Sequence, residues 1–281
     1  MSVNRLDRDR RDVDLNDYLS EKTRPSLAHV TDVIEEPTAI YDNDRLVMFY
    51  DVLPLDCSDI IEALKTVNYI SNTRSQGMKT RSAIFGWMPR VAIRTDYCRA
   101  AAMASNQPDQ HQVIMQYAER VAEYYATNNP LLHGKHMEMT DDVLEDYRIG
   151  ETPFTSGIAN YNNALDYHFD TGNFEGVWSC MLAFSDGIRG GELVVPEYDV
   201  AFRFQQNSVF MFDGQDILHG VAPIIRAMRG AYRFTVVYYS LKQMWNCLPI
   251  TEELIRIRQL RTEREERLAA RVRNALDGDG S

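Results

Sequence analysis

The stretch of sequence that decides the fold reads VWSCMLAF at residues 177–184, ELVV at 192–195, VAFRF at 200–204, VFMF at 209–212 and AYRFTVVYY at 231–239. Each run is short and either apolar or alternating, and turn-forming pairs such as Asp-Gly, Gly-Gly and Asn-Ser separate one run from the next. Several short strands at regular spacing are typical of a β-sandwich or a β-barrel. We therefore expect the chain to be almost wholly β over residues 155–239.

Helical patterns and a β-hairpin are predicted around this β-rich segment. Apolar residues recur at helical spacing over residues 58–70 and 109–126, and a charged helix with a thin apolar stripe is predicted over residues 252–276. Strand-like runs at 38–41 and 46–50, joined by a polar turn, predict the hairpin. The chain is therefore expected to belong to the α+β class.

The predicted organisation has three parts. Residues 1–36 are mixed in charge with little apolar periodicity, so a flexible arm is predicted there. Residues 37–248 are predicted to form one domain, with helical support over 37–150 and the core over 151–248. Residues 249–281 are predicted to form a charged helix. The arm and the final helix are open to two interpretations, a solvated surface or a contact with DNA phosphates. In the helix, the second interpretation uses Arg256, Arg258, Arg261 and Arg264.

Composition limits the class of protein. The net charge of −11 disfavours a protein that coats nucleic acid, although local clusters of arginine can still bind phosphate. The four cysteines lie far apart without zinc spacing and are expected to be reduced thiols. No apolar run approaches the roughly 18 residues of a membrane span, and the charged N-terminus is unlike a signal peptide, so a cytoplasmic protein is expected.

Two histidines and one aspartate form the candidate metal site. His168 and Asp170 are separated by one residue, and residues i and i+2 of a strand share a face, so both side chains can reach one ion while Phe169 turns into the opposite layer. His219 follows the strand predicted at 209–212 across a turn. Two imidazoles and one carboxylate are the ligand set of non-haem Fe(II) oxygenases. The other histidine pair, His133 and His136, is expected to lie in a surface loop.

Arg233 is the second chemical signal, because it lies in an apolar strand. A buried arginine needs an anionic partner, and its planar fork can make two charge-assisted hydrogen bonds to a carboxylate. The distal carboxylate of 2-oxoglutarate is one such partner, and a structural Glu or Asp is the alternative. Thr235 shares the same strand face and is expected to add a hydroxyl group.

Short motifs throughout this region resemble the TET/JBP oxygenases. They read TSG at 155–157, HFDTGN at 168–173, GGELVVPEY at 190–198, FDG at 212–214, LHG at 218–220 and RFT at 233–235. The compact members of that family encoded by bacteriophages are similar in length. The resemblance implies a double-stranded β-helix, or jelly roll, with flanking helices, and oxidation of the 5-methyl group of pyrimidines in DNA, 5-methylcytosine or thymine, with Fe(II), 2-oxoglutarate and dioxygen.

The resemblance also implies roles for individual residues. His168, Asp170 and His219 would bind iron, and Arg233, with Thr235, would bind 2-oxoglutarate. Asn173 matches the position at which family members carry an Asn or Asp that contacts the polar edge of the target base; its alternative role is a turn residue. Family members use a further upstream arginine on the cofactor, for which Arg81 and Arg90 are the candidates. The cysteine-rich extension of the animal members does not occur in this chain.

Three functions remain open at this point. The first is a dioxygenase that oxidises 5-methylpyrimidines in DNA to 5-hydroxymethyl bases and beyond. The second is a 2-oxoglutarate-dependent hydroxylase of a free nucleobase, a small metabolite or a protein side chain, which the acidic net charge favours. The third is a jelly-roll module that binds modified bases without catalysis.

Overall fold

The described residues, 3–20, 23–73, 79–91 and 97–278 of a computed structural model, form sixteen β-strands and six α-helices. The strands are β1 (Asn4–Asp7), β2 (Asp32–Ile34), β3 (Thr38–Asp42), β4 (Arg45–Val52), β5 (Ile70–Thr73), β6 (Lys79–Met88), β7 (Arg99–Ala100), β8 (Ser156–Tyr161), β9 (Ser179–Asp186), β10 (Ile188–Gly190), β11 (Leu193–Val195), β12 (Val200–Phe202), β13 (Ser208–Phe212), β14 (Gly220–Val221), β15 (Ile224–Arg226) and β16 (Tyr232–Tyr239). The helices are α1 (Leu15–Leu19), α2 (Ser58–Thr66), α3 (Ala102–Asn106), α4 (Pro108–Asn128), α5 (Pro130–Asp141) and α6 (Ile250–Gly278). The predicted α+β class is confirmed.

Two sheets face each other across a shared apolar layer. The large sheet runs β1-β3-β4-β13-β9-β16-β8-β6-β5, with β7 paired to β6, and the smaller one runs β14-β11-β12-β2. Side chains from both sheets meet in one buried cluster that includes Met181 and Phe210 of the large sheet and Leu193, Val195 and Phe202 of the small one. This sandwich is the predicted jelly-roll core.

Alternation along β16 divides the molecule into a helical side and a pocket side. Phe234, Val236 and Tyr238 point into the cluster formed with α2 and α4, whereas Arg233 and Thr235 line a cavity on the opposite face. The period of two in a strand produces this division. Helices α2 and α4 therefore support the large sheet from behind and leave its other face available for a site.

The described residues of the N-terminal segment, 3–20 and 23–36, include two paired strands, so the prediction of a flexible arm is wrong for these residues. Strand β1 pairs in parallel with β3, and β2 pairs in parallel with β12, so this segment adds one strand to each sheet. Both pairings are parallel and join segments that are distant in sequence. Such pairings leave no local hydrophobic period from which β1 and β2 could be predicted.

The predicted loop at residues 133–136 is also wrong, because these residues lie within α5. Asn129 caps α5 by accepting a hydrogen bond from the Leu132 amide, and Pro130 occupies the first turn. His136 is buried, its Nε2 atom lies 3.0 Å from the Ser240 hydroxyl, and burial lowers its pKa to about 3. His136 is therefore a structural histidine.

Two cysteines are joined, which corrects the prediction of four reduced thiols. Cys98 and Cys247 form a disulfide across a separation of 149 residues, while Cys57 and Cys180 are free and buried. The pairing links the segment after β16 to the segment before α3. No spacing rule in the sequence predicts a bond across such a distance.

Helix α6 is confirmed, but its predicted apolar stripe does not dock along its length. Ile257 is buried near its start, whereas Leu254 and Leu268 are exposed. Residues 261–271 are exposed throughout. No helix in the described part of the chain has both the length and the apolar character that a membrane span requires.

Candidate metal centre and cofactor pocket

The two histidines of the candidate triad face each other across an antiparallel bridge. The amide of His168 donates to the carbonyl of His219 at 2.9 Å, and the reverse hydrogen bond measures 3.2 Å. The amide of Asp170 donates to the carbonyl of Gly214 at 2.8 Å. Backbone hydrogen bonds thus hold all three residues. The expectation that His168 and Asp170 share a regular strand is wrong, because His168 forms only an isolated bridge. Phe169 borders the same cavity and also packs against the buried cluster that includes Tyr167 and Leu218.

The side chains of the triad converge on one point. Their potential ligand atoms all lie within 4.8 Å of one another. Nε2 of His168 is 3.7 Å from Oδ1 of Asp170, and Nε2 of His219 is 3.9 Å from Oδ2. Such separations leave space for an ion between the three groups. Two nitrogens and one carboxylate on one side of that space match the facial triad of non-haem Fe(II) enzymes.

Backbone carbonyls fix which nitrogen of each ring faces the centre. Nδ1 of His168 lies 2.7 Å from the Asp166 carbonyl, and Nδ1 of His219 lies 2.9 Å from the Ile217 carbonyl. A carbonyl oxygen can only accept, so each Nδ1 carries a hydrogen and the Nε2 atom of each ring faces the centre. Burial, together with the neighbouring His168, lowers the pKa of His219 to about 4 and keeps that ring neutral at pH 7.

Gly214 makes room for the Asp170 carboxylate. A Cβ atom at this position would lie 2.5 Å from Oδ2 of Asp170 and 3.2 Å from its Cγ. Contacts that short cannot persist, so the carboxylate would have to turn away from the two histidines.

We expect Gly214→Ala to weaken Fe(II) affinity by about 10- to 100-fold, the range seen when groups that orient metal ligands are disturbed. Equilibrium dialysis with Fe(II) under nitrogen measures this. Gly134→Ala is the matched control, because a Cβ there meets nothing within 4 Å. The control should retain full affinity, and equal affinity in both variants would contradict the role of Gly214.

Arg233 ends in the same cavity as the triad. The cavity has a volume of about 250 Å³, and its lining includes all three triad residues, Arg233 and Thr235. Arg233 is only 5% exposed, and its Nη2 atom has no hydrogen-bond partner among the described residues. Burial lowers the pKa of Arg233 to about 10, and the negative charge of Glu192 opposes that shift. The guanidinium stays charged at pH 7, and an incoming carboxylate would satisfy it.

The two upstream arginines do not reach this cavity, which corrects the expectation that Arg81 or Arg90 binds the cofactor. Arg90 lies beyond the end of β6 and pairs with Glu253 of α6. Arg81 stacks over the ring of Tyr161, 5.1 Å from its centroid, on the other side of the sheet. Strand parity, which the sequence did not reveal, decides the face to which Arg81 belongs.

Asn173 does line the cavity. It is 8% exposed, its backbone pairs with Leu241, and its Nδ2 atom donates to the Ser179 hydroxyl at 3.1 Å. One amide hydrogen and the carbonyl oxygen of the side chain are not used by that hydrogen bond.

Sequence reading missed Asn160, which also lines the cavity. Its Nδ2 atom donates to the Thr235 hydroxyl at 3.2 Å, while its Oδ1 accepts from Asn163 at 3.0 Å. The signal was present, because Asn160 is a buried amide within the apolar strand β8, as Arg233 is a buried cation within β16.

Comparison with known proteins identifies the family. The Tet_JBP model, described as the oxygenase domain of the 2OGFeDO superfamily, matches residues 92–242, which is more than half of the 281-residue chain. The chain belongs to this family. It is therefore an oxygenase of the Fe(II)- and 2-oxoglutarate-dependent superfamily, as the motif resemblance predicted.

Two solved structures are similar to this chain. NgTET1 in complex with 5mC DNA superposes with a TM-score of 0.57 at 13% sequence identity, covering 86% of this chain and 83% of NgTET1. An oxidoreductase of the 2OG-Fe(II) oxygenase family from Burkholderia pseudomallei has a TM-score of 0.43 at 15% identity, covering 68% of this chain and 84% of its own. No curated protein matches the chain. The Tet_JBP assignment therefore rests on the family model, and the jelly-roll fold on NgTET1.

The residues present fit both cofactors of the Tet_JBP family. The Nε2 atoms of the two histidines and the Asp170 carboxylate form a donor set suited to Fe(II), and the Nη2 atom of Arg233, which has no partner among the described residues, suits a carboxylate of 2-oxoglutarate.

Proposed function

We propose that this protein oxidises the 5-methyl group of pyrimidine bases in DNA, 5-methylcytosine or thymine, to the 5-hydroxymethyl base and further oxidation products. Membership of the Tet_JBP family and the likeness of the fold to NgTET1, which was solved with 5mC DNA, support a DNA substrate. The observation that carries the proposal is the position of Asn173, whose carboxamide shares one cavity with His168, Asp170 and His219.

The proposed roles follow from the geometry of the side chains. His168, Asp170 and His219 would hold Fe(II) on one side and leave its other positions open to the cavity. Arg233 would bind the distal carboxylate of 2-oxoglutarate, with the Thr235 hydroxyl beside it. With both cofactors bound, the centre supplies oxidation of a C–H bond by dioxygen, coupled to decarboxylation of 2-oxoglutarate to succinate.

The size of the cavity determines how DNA would bind. A cavity of about 250 Å³ is too small to enclose a stacked duplex. The target nucleotide must therefore leave the duplex, which costs a few kcal/mol and requires compensating contacts. Phe169 provides an aromatic side chain in the cavity lining, and Asn173 provides an amide that can both donate to and accept from the polar edge of a base.

We expect Asn173→Ala to lower kcat/KM for base oxidation by about 10- to 100-fold, the equivalent of about 1–3 kcal/mol for a lost hydrogen bond at a buried polar edge. Fe(II) affinity should stay within about twofold of the wild type, because Asn173 is not a ligand. Ser179→Ala is the control: it removes the hydroxyl partner of Asn173 and should have a smaller effect. If Asn173→Ala leaves oxidation unchanged, its proposed role is wrong.

The substrate is tested by mass analysis of nucleosides. The protein is incubated with Fe(II), 2-oxoglutarate and either DNA containing 5-methylcytosine, DNA containing only unmodified bases including thymine, or free thymine. Oxidised nucleosides in either DNA support the proposal, and the DNA that reacts identifies the base. Oxidation of free thymine alone would show a hydroxylase of small molecules, and absence of both Fe(II) binding and succinate would indicate a module that only binds.

A further inference from the structure

Arg10 and Glu197 form a polar connection between the N-terminal segment and the loop that carries His219. Nε and Nη2 of Arg10 donate to Oε1 of Glu197 at 2.9 and 2.7 Å. The Glu197 side chain is 7% exposed. Its other oxygen, Oε2, accepts from the backbone amide of Leu218 at 2.6 Å. A buried carboxylate is thus used at both oxygens, one toward a cation and one toward the residue before His219.

The amide that Glu197 holds belongs to the peptide unit that orients the His219 ring. The Ile217 carbonyl and the Leu218 N–H lie in one planar peptide group. That carbonyl accepts from Nδ1 of His219 at 2.9 Å. Any rotation of the peptide plane that broke the hydrogen bond to Glu197 would also turn the carbonyl away from the ring. A negative charge on the N–H side further polarises the carbonyl as an acceptor.

The same guanidinium holds the loop at a second point. Nη1 of Arg10 pairs with Oδ2 of Asp216 at 2.8 Å, and Nη2 donates to the Asp216 carbonyl at 2.6 Å. Asp216 belongs to the turn in which Gly214 accepts the Asp170 amide. Arg10 therefore contacts, from outside, the loop whose inner side holds both Asp170 and His219.

The N-terminal segment is itself anchored to both sheets. Strand β1 pairs with β3, the Arg8 amide donates to the Tyr41 carbonyl at 2.8 Å, and the Arg11 amide donates to the Glu197 carbonyl at 2.6 Å. Arg10 lies between these fixed points and is not a freely moving surface cation.

From these contacts we infer that Arg10 and Glu197 are positioning residues for the iron centre, and that the N-terminal segment sets the Fe(II) affinity of a site it does not touch. The inference depends on His219 as a ligand and does not depend on DNA as the substrate.

The test measures Fe(II) affinity by equilibrium dialysis under nitrogen, without 2-oxoglutarate or DNA. Glu197→Ala leaves the Leu218 amide without its acceptor, and we expect a 10- to 100-fold loss of affinity, which is typical of removing a group that orients a metal ligand. Glu197→Gln keeps an oxygen for that amide and should lose less than Glu197→Ala. Arg10→Ala should lose about 10-fold, with partial recovery in Arg10→Lys.

Arg11→Ala is the matched control. Arg11 is the adjacent residue, and its side chain pairs with Asp199 at 2.6 Å. Its backbone amide, which donates to the Glu197 carbonyl, is retained in the alanine variant. Thermal unfolding of each metal-free variant checks that it folds. The inference is overturned if Glu197→Ala binds Fe(II) as the wild type does, or if Arg11→Ala loses as much affinity as Arg10→Ala. Asp170→Ala, measured alongside, separates this failure from a wrong ligand assignment, because only the latter would leave its affinity unchanged.

Discussion

Asp170→Ala should abolish base oxidation and turnover of 2-oxoglutarate while leaving the fold intact. Among the three candidate ligands, Asp170 is the one that carries a negative charge. Disturbing a residue that merely orients a ligand costs 10- to 100-fold, so loss of a ligand should cost more than about 100-fold in Fe(II) affinity and in succinate formation.

The fold should survive this change, because the backbone amide of Asp170 still donates to Gly214. The carboxylate itself is 29% exposed and lies beyond hydrogen-bond distance of both histidine Nε2 atoms. The metal-free variant should therefore unfold within about 1 kcal/mol of the wild type. Asp170→Asn tests the charge separately, since it keeps the size and one oxygen and should retain more Fe(II) affinity than alanine. Undiminished succinate formation in Asp170→Ala would disprove the ligand assignment.

Arg233→Met should produce opposite effects on 2-oxoglutarate binding and on stability. Breaking a buried ion pair by removing one partner costs about 3–5 kcal/mol, so the KM for 2-oxoglutarate should rise by about 150- to 5,000-fold. In the free protein the same change removes a buried cation with a partnerless Nη2 and replaces it with an apolar side chain of similar length. Stability without 2-oxoglutarate should then be equal to or greater than that of the wild type.

Arg203→Met is the control for that experiment. Arg203 also contacts Glu192, at 2.9 Å, but it is half-exposed and pairs with Glu35 as well. Its loss should leave the KM for 2-oxoglutarate unchanged and lower stability, because the buried Glu192 loses its ion-pair partner. A normal KM in Arg233→Met, or an equal rise in both variants, would show that Arg233 is not the carboxylate site.

The parts of the fold that sequence reading predicted are those with a local pattern. Helix α4 buries several side chains at helical spacing, and strands β9 and β13 are short apolar runs that are buried almost throughout. The parallel partners of β1 and β2 and the disulfide between Cys98 and Cys247 depend on residues distant in sequence, where no period exists. The Asn-Asn-Pro run at residues 128–130 ends α4 and also begins α5. The sequence pattern indicated only the end of α4, so α5 was not predicted.

The residues of the candidate site also divide into those that the sequence predicted and those that it did not. Four residues could be predicted from their chemistry alone: His168, Asp170, His219 and Arg233. Each is a polar side chain in an apolar region, where burial without a binding partner is costly. The structure brings all four to one cavity, with Asn173 and Thr235. The residues that position the metal ligands could not be predicted from the sequence. Gly214 matters because it has no Cβ atom to displace the Asp170 carboxylate, and Glu197 because it accepts a hydrogen bond from the Leu218 amide.

The stoichiometry between oxidised base and succinate tests the central claim most directly. Duplex DNA carrying 5-methylpyrimidines is incubated with the wild-type protein, Fe(II) and limiting 2-oxoglutarate, and both products are counted by mass. We predict one succinate for each two-electron oxidation step found in the DNA, and loss of both products in Asp170→Ala. Succinate that forms at the same rate with and without this DNA, with no oxidised nucleoside recovered, would contradict the account.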